Sequence, residues 1–274
     1  MKILQRISKL LPEIKARKPL IHHITNFVTV NDCANITLAI GASPIMAVDG
    51  AEVAEIVSMA SALVLNSGTL TSDSIKSMLI AGKKANELKI PVILDPVGVG
   101  ATTLRNEAIR KLLTNVKIAV LKGNMSEIKF ISGLDVSIRG VDSTASEEGS
   151  AEAAKKLAAQ LGCVVAITGK RDIISDGDIT FFIDNGHEML AHITGTGCMI
   201  SSLIASYSGV TDDYLTATLG GIISMGIAGE IASRSLTNDQ GIGSFKVNLF
   251  DCIYKLTSDT IIKEGAISVY ERKD

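Results

Sequence analysis

Four short aliphatic runs constrain the fold most: Leu63-Val64-Leu65, Val92-Ile93-Leu94, Ile118-Ala119-Val120-Leu121 and Val164-Val165-Ala166-Ile167. Each is apolar on successive residues, the mark of a strand buried on both faces. Each is followed by a loop and then by a segment of helical periodicity. Val53, Ile56, Val57 and Ala60 recur at three- and four-residue steps, as do Ile75, Met78, Leu79 and Leu88, and again Ala154, Leu157, Ala158 and Leu161. Buried strands alternating with amphipathic helices predict right-handed βαβ units. The fold class is therefore α/β, with a central, mostly parallel sheet between two helical layers.

The pattern changes near Arg171–Asp184. Residues 170–178 and the run Ile179–Ile183 predict a hairpin turning at Asp176-Gly177, which adds antiparallel strands at one sheet edge. From Thr194 to about Ser235 the periodicity is helical throughout, so helices close the C-terminal part. No repeat, low-complexity run or Pro/Ser-rich linker interrupts the 274 residues, and one domain over 1–274 is expected.

A net charge of −2 without a basic cluster argues against nucleic acid as partner. The first 18 residues break their apolar positions with charges and read as a short amphipathic helix, not a signal peptide. The stretch Leu219–Ile231 is rich in Gly and Ala and carries Glu230, which fits a buried helix better than a membrane span. No membrane partner is expected, and the cytoplasm is the expected location. Cys33, Cys163, Cys198 and Cys252 have no paired spacing, so neither a disulfide framework nor a zinc site is expected. Three of them read as small buried hydrophobes. Cys198 stands apart because of its neighbours.

In open α/β sheets ligands bind beyond the carboxyl ends of the strands. The residues that follow the four runs are Asn66-Ser67-Gly68-Thr69, Asp95-Pro96-Val97-Gly98-Val99-Gly100, Lys122-Gly123-Asn124-Met125-Ser126-Glu127 and Thr168-Gly169-Lys170. Polar and glycine residues from four strands thus meet at one sheet edge. By pattern alone this is equally a ligand site or a set of ordinary polar loops. A sharper segment is Thr194-Gly195-Thr196-Gly197-Cys198, running into the apolar stretch Met199–Ala205. Glycines entering a helix leave backbone N–H groups free at its positive end, an anion site suited to a transferring phosphoryl group. An ordinary capped helix entry would look the same. Neither a P-loop nor a dinucleotide G-x-G-x-x-G occurs. Asp95 and Glu127 are candidate Mg²⁺ carboxylates, with turn capping and helix-dipole compensation as the plainer readings. His22 and His23, adjacent on a strand, face opposite sides and do not share a metal.

Together these segments resemble hydroxyethylthiazole kinases. The opening Lys18–Asn26 (Lys-Pro-Leu-Ile-His-His-Ile-Thr-Asn), Val28–Asn31 and Gly41–Met46 carry the most specific likeness. Asp95–Thr102, Lys122–Glu127 and Gly195–Cys198 follow in that family's order and spacing, and the last two are shared more widely among ribokinase-like enzymes. The resemblance implies a ribokinase-like fold and ATP- and Mg²⁺-dependent phosphorylation of 4-methyl-5-(2-hydroxyethyl)thiazole. Carried over by position, Asn26, Met46, Gly68 and Gly195 contact the thiazole alcohol, while Lys122, Thr168 and Asn124 serve ATP. Asp95 and Glu127 organise the metal. Gly195, Thr196 and Gly197 donate N–H groups to developing charge, with Cys198 at the base position. Most ribokinase-like enzymes have Asp there; hydroxyethylthiazole kinases commonly have Cys. The resemblance also implies a homotrimer with sites between subunits, Met46 serving a neighbour. Rival readings are a different alcohol (a pyrimidine or a sugar), a nicotinamide-hydrate dehydratase of the same fold, and a non-catalytic ligand-binding relative.

Overall fold

The computed structural model describes residues 2–134 and 147–270. Six strands run parallel: β1 (Leu20–Ile24), β2 (Ser43–Ile45), β3 (Ala62–Asn66), β4 (Val92–Asp95), β5 (Val120–Asn124) and β6 (Val164–Thr168). β7 (Asp172–Ser175) and β8 (Thr180–Ile183) form the expected hairpin. Its turn uses Gly177 at φ 99°, and Asp176 Oδ1 accepts from the backbone N–H groups of Asp178 and Ile179 at 3.0 and 2.8 Å. A further strand, β9 (Ile267–Val269), pairs antiparallel with β8 and was not foreseen. Its three residues are partly exposed and too few to show a period.

The sheet order is β2-β1-β3-β4-β5-β6-β7-β8-β9. The chain first steps outward from β1 to β2 and then returns to β3 on the other side of β1. Connections therefore diverge between β1 and β3, which opens a crevice at their carboxyl ends.

Alternate strand residues face opposite layers. Ala62 and Val64 belong to one core with helices α1 (Lys2–Arg17) and α2 (Val30–Ile40), which α8 (Thr196–Ser208), α9 (Tyr214–Arg234), α10 (Ile242–Lys255) and α11 (Ser258–Glu264) complete. Leu63 and Leu65 face the second core, under α3 (Val53–Met59), α4 (Ser72–Glu87), α5 (Thr103–Asn115), α6 (Met125–Leu134) and α7 (Glu147–Leu161). Strands covered on both sides explain why their sequences are apolar at every position.

The glycine-rich α9 is long and apolar enough to cross a membrane, but 83% of its most apolar window is buried inside the fold. Its glycines permit that burial: a Cβ at Gly221 would lie 2.5 Å from the Ile204 nitrogen of α8. Cys33 and Cys163 are buried as expected, whereas Cys252 is only half-buried, beside the inward-facing Leu249 and Ile253 of α10.

α1 buries Ile7, Leu11 and Ile14 on one stripe and contains Pro12. Proline has no N–H, so the Ser8 carbonyl lacks its i+4 donor. Ser258 Oγ of α11 donates to that carbonyl at 2.7 Å, and Lys15 Nζ donates to the Leu256 carbonyl at 2.9 Å.

Candidate active site

The crevice between β1 and β3 is closed at its floor by two asparagines. Asn26, just past β1, donates through Nδ2 to Asn66 Oδ1 at 2.9 Å. Asn66, the last residue of β3, donates through Nδ2 to Asp95 Oδ2 of β4 at 2.8 Å. Ser201 Oγ of α8 donates to the same Asp95 oxygen at 2.8 Å, and Lys122 Nζ of β5 lies 3.2 Å from Asp95 Oδ1. Four neighbouring strand ends are thus joined by side chains. Asp95 and Lys122 are buried, and each is the other's counter-charge. Burial works to lower the Lys122 ammonium, but the Asp95 carboxylate, with Cys198 and Glu127, outweighs it and its pKa is raised.

The N-terminus of α8 enters this cluster. Gly195 precedes the helix at φ 90°, a conformation glycine adopts freely, and a Cβ there would lie 2.5 Å from Thr29 Cγ2. Thr196, Gly197 and Cys198 form the first turn, whose N–H groups have no acceptor four residues back. Lys122 Nζ donates to the Gly197 carbonyl at 3.0 Å and so fixes this turn to β5. Cys198 Sγ receives Asn66 Nδ2 at 3.2 Å and Asn26 Nδ2 at 3.4 Å.

Glu127 acts as a cap and as a tie. Asn124 Oδ1 accepts from the Glu127 N–H at 3.0 Å, and Glu127 Oε2 accepts from the Asn124 N–H at 2.8 Å. This reciprocal pair starts α6 in the manner of a capping box. Glu127 Oε1 also accepts from the Gly98 N–H at 2.9 Å, so one carboxylate joins the loops after β4 and β5. The plainer reading of Glu127, as a first-turn helix residue, is realised, and Asn124 is its partner. Asp95 does not cap its own turn with its side chain, which is occupied by Lys122, Asn66 and Ser201.

Among the remaining candidates, Thr168 ends β6 opposite Asn124, and its hydroxyl donates to the Gly123 carbonyl at 3.4 Å. Gly68 packs so closely on Asn26 that a Cβ there would lie 2.7 Å from the Asn26 Cβ. Met46 follows the edge strand β2 and is half-buried. His22 Nε2 bonds the Ala47 carbonyl at 2.9 Å on one face of β1, and His23 Nε2 pairs with Ser202 Oγ at 3.1 Å on the other. The two rings do point apart, each held by a hydrogen bond within the fold. Burial pushes His23 down to about 4 and lowers His22.

Three participants carry no sequence signal of their own. Asn66 looks like any polar strand end, and Ser201 like a small helix residue. Arg105 of α5 reaches back to donate to the carbonyls of Val97 and Gly68, both at 2.7 Å, and to that of Ser67. Only the two polar loops it ties together, read with a nearby basic residue, hint at it.

The hydroxyethylthiazole kinase family model matches residues 11–259. The chain belongs to the hydroxyethylthiazole kinase family. It is 53% identical over 268 residues to the hydroxyethylthiazole kinase of Alkaliphilus oremlandii, covering 97% of this chain and 99% of that one. A solved hydroxyethylthiazole kinase from Pyrococcus horikoshii superposes with a TM-score of 0.90 at 38% identity, over 99% of this chain and 100% of that one. A ribokinase-like superfamily protein from Enterococcus faecalis is similar at a TM-score of 0.63 and 13% identity, over 92% and 95% of the two chains; that likeness is one of fold. In this hydroxyethylthiazole kinase family member the three-layer fold, the Asn26–Asn66–Asp95–Lys122 chain and the open first turn of α8 all converge on the β1/β3 crevice.

Proposed function

We propose that the protein transfers the γ-phosphoryl group of ATP to the primary hydroxyl of 4-methyl-5-(2-hydroxyethyl)thiazole, in thiamin biosynthesis or salvage. Family membership supports the substrate, and one observation carries the chemistry. Cys198 Sγ lies in the first turn of α8, held by two amide donors, beside N–H groups with no helical acceptor.

On this reading Asn26, Gly68 and Gly195 line the alcohol's place, and Met46 contacts the alcohol in the site of a neighbouring subunit. The hydroxyl proton moves to Cys198 Sγ as the alcohol oxygen bonds phosphorus, and the bond to the ADP oxygen breaks. Phosphoryl transfer relies chiefly on positioning and on stabilising charge, so a weak base suffices. The N–H groups of Gly195, Thr196 and Gly197 and the α8 dipole receive the charge that develops on the transferring oxygens. Thr168 and Asn124 serve the nucleotide. Lys122 has three N–H donors; Asp95 and Gly197 take two, and the third is assigned to a phosphate oxygen.

The donor set fits Mg²⁺, which takes hard oxygen ligands and keeps several waters. Glu127 and Asn124 would hold it, with Asp95 behind them, directly or through water. Bound there, the ion would neutralise charge on the nucleotide phosphates. One domain carries the whole activity, in the cytoplasm, and the working unit is a homotrimer with sites between subunits. Phe27 and Val28, directly after Asn26, are 78% and 57% exposed and offer apolar surface beside the site for a neighbour.

The decisive assay follows ATP consumption by the purified protein with Mg²⁺, with and without the thiazole alcohol, and identifies the phosphorylated product by mass. Substrate-dependent product is expected. A folded protein that binds ATP and yields none would overturn the reading in favour of another alcohol or a ligand-binding role. Light scattering tests the assembly, and a fully active monomer would exclude a shared site.

A further inference from the structure

We infer that Asn66 is a positioning residue for Cys198: its amide holds the sulfur as a hydrogen-bond acceptor and links it to the buried Asp95–Lys122 pair. The inference deepens the proposed phosphotransferase reading and rests on it only for its catalytic meaning; the bonding itself stands without it.

The direction of the amide is fixed by its neighbours. Asn66 Oδ1 accepts from the backbone N–H of Gly68 at 2.9 Å, a group that can only donate. The NH₂ end must therefore face Asp95 Oδ2 and Cys198 Sγ. The same argument orients Asn26, whose Oδ1 accepts from the Thr29 N–H at 3.0 Å and from the Thr29 hydroxyl at 3.1 Å. Its NH₂ then faces Asn66 Oδ1 and the sulfur. A polarised chain runs from Thr29 through Asn26 and Asn66 to the Asp95 carboxylate, and each link strengthens the next. With all four hydrogen-bonding positions of its amide engaged and 2% of its surface exposed, Asn66 cannot turn over.

Both amide donors meet Cys198 on its sulfur, so that sulfur is addressed as an acceptor. An N–H donor favours the charged form of the group that accepts it. Lys122 of β5 and Asp95 of β4 are paired with each other, so the asparagine amides are the donors that meet the sulfur directly.

Alkylation of Cys198 by iodoacetamide near neutral pH, followed by peptide mass, reads this without turnover. Asn66→Ala should slow alkylation near neutral pH about fivefold, the worth of one hydrogen bond. Asn66→Asp keeps the shape and the Gly68 bond but turns an acceptor on the sulfur, and should slow it more than tenfold. Unchanged rates in folded variants would overturn the inference, and if neither variant folds, Asn66→Ser, smaller and with a single donor, takes their place in the same comparison. A kinase-negative protein with these alkylation shifts would sink the proposed reaction and leave the Asn66–Cys198 relation standing.

Discussion

Lys122 Nζ lies 3.2 Å from Asp95 Oδ1, with both side chains 5% exposed or less, so a buried ion pair forms the floor of the crevice. Neither charge can be removed alone without stranding the other in a low-dielectric interior. Lys122→Met should therefore destabilise the protein by about 3 kcal/mol or more. Urea midpoints would measure this, and a midpoint within experimental scatter of wild type would show that the pair carries no such burden. The Lys122→Met/Asp95→Asn double variant should recover part of the loss.

Cys198 is the site's departure from the Asp common to ribokinase-like enzymes. Cys198→Ala should retain measurable phosphorylation, since positioning and charge stabilisation remain. Complete loss with ATP binding intact would make the thiol essential. Cys198→Asp should keep or raise activity, and a collapse in rate would count against the sulfur as proton acceptor.

Arg105 joins the loop carrying Gly68 to the loop after Asp95 through the carbonyls of Ser67, Gly68 and Val97. Arg105→Ala should cost about 2 kcal/mol of stability, as charged hydrogen bonds do. It should raise KM for the alcohol more than KM for ATP, because the loop it releases lines the alcohol's place. Arg105→Lys cannot reproduce the fork and should fall between. Equal effects on both KM values would point to global loosening.

Two buried groups oppose each other across mildly acid pH. Burial holds His23 down to about 4, against an ordinary 6.5, so between those values the unfolded chain binds the extra proton and acid destabilises. Burial also pushes Asp172 up to about 7, although the Gly169 N–H works against this, so between about 4 and 7 the folded protein binds the extra proton and acid stabilises. The Asp172 slope offsets that of His23 over about pH 4 to 6.5, and His22, also lowered by burial, adds to the acid-destabilising side. Asp172→Asn removes one side of the balance. Its stability should fall more steeply than wild type on acidification, by about 1 kcal/mol per pH unit. Urea midpoints at pH 6.5, 5.5 and 4.5 provide the comparison, and parallel profiles would contradict it.

Much of the layered fold was legible because strands covered on both faces must be apolar throughout, as Leu63–Leu65 and Val92–Leu94 are. The hairpin at Asp176-Gly177 was legible from turn chemistry. β9 was not, since three residues at an edge leave no period. The site divides similarly. Asn26, Asp95, Lys122 and Cys198 announce themselves by type and place in a motif. Asn66 becomes informative only once β3 is known to lie between β1 and β4, because that order puts Asn26 on one side of it and Asp95 on the other. Cross-strand neighbours depend on sheet order, and local pattern does not encode it.

The Pro12 gap in α1 has a consequence for synthesis. The Ser8 carbonyl freed by Pro12 is taken by Ser258, 250 residues later. A growing chain leaves the ribosome from its N-terminal side, so α1 precedes the helices α2, α8, α9 and α11 that pack on it, and its Ser8 carbonyl lacks this donor until the segment bearing Ser258 emerges. During translation this helix is a client awaiting its partner, and arrival of the first residue of α11 works as a clasp on it.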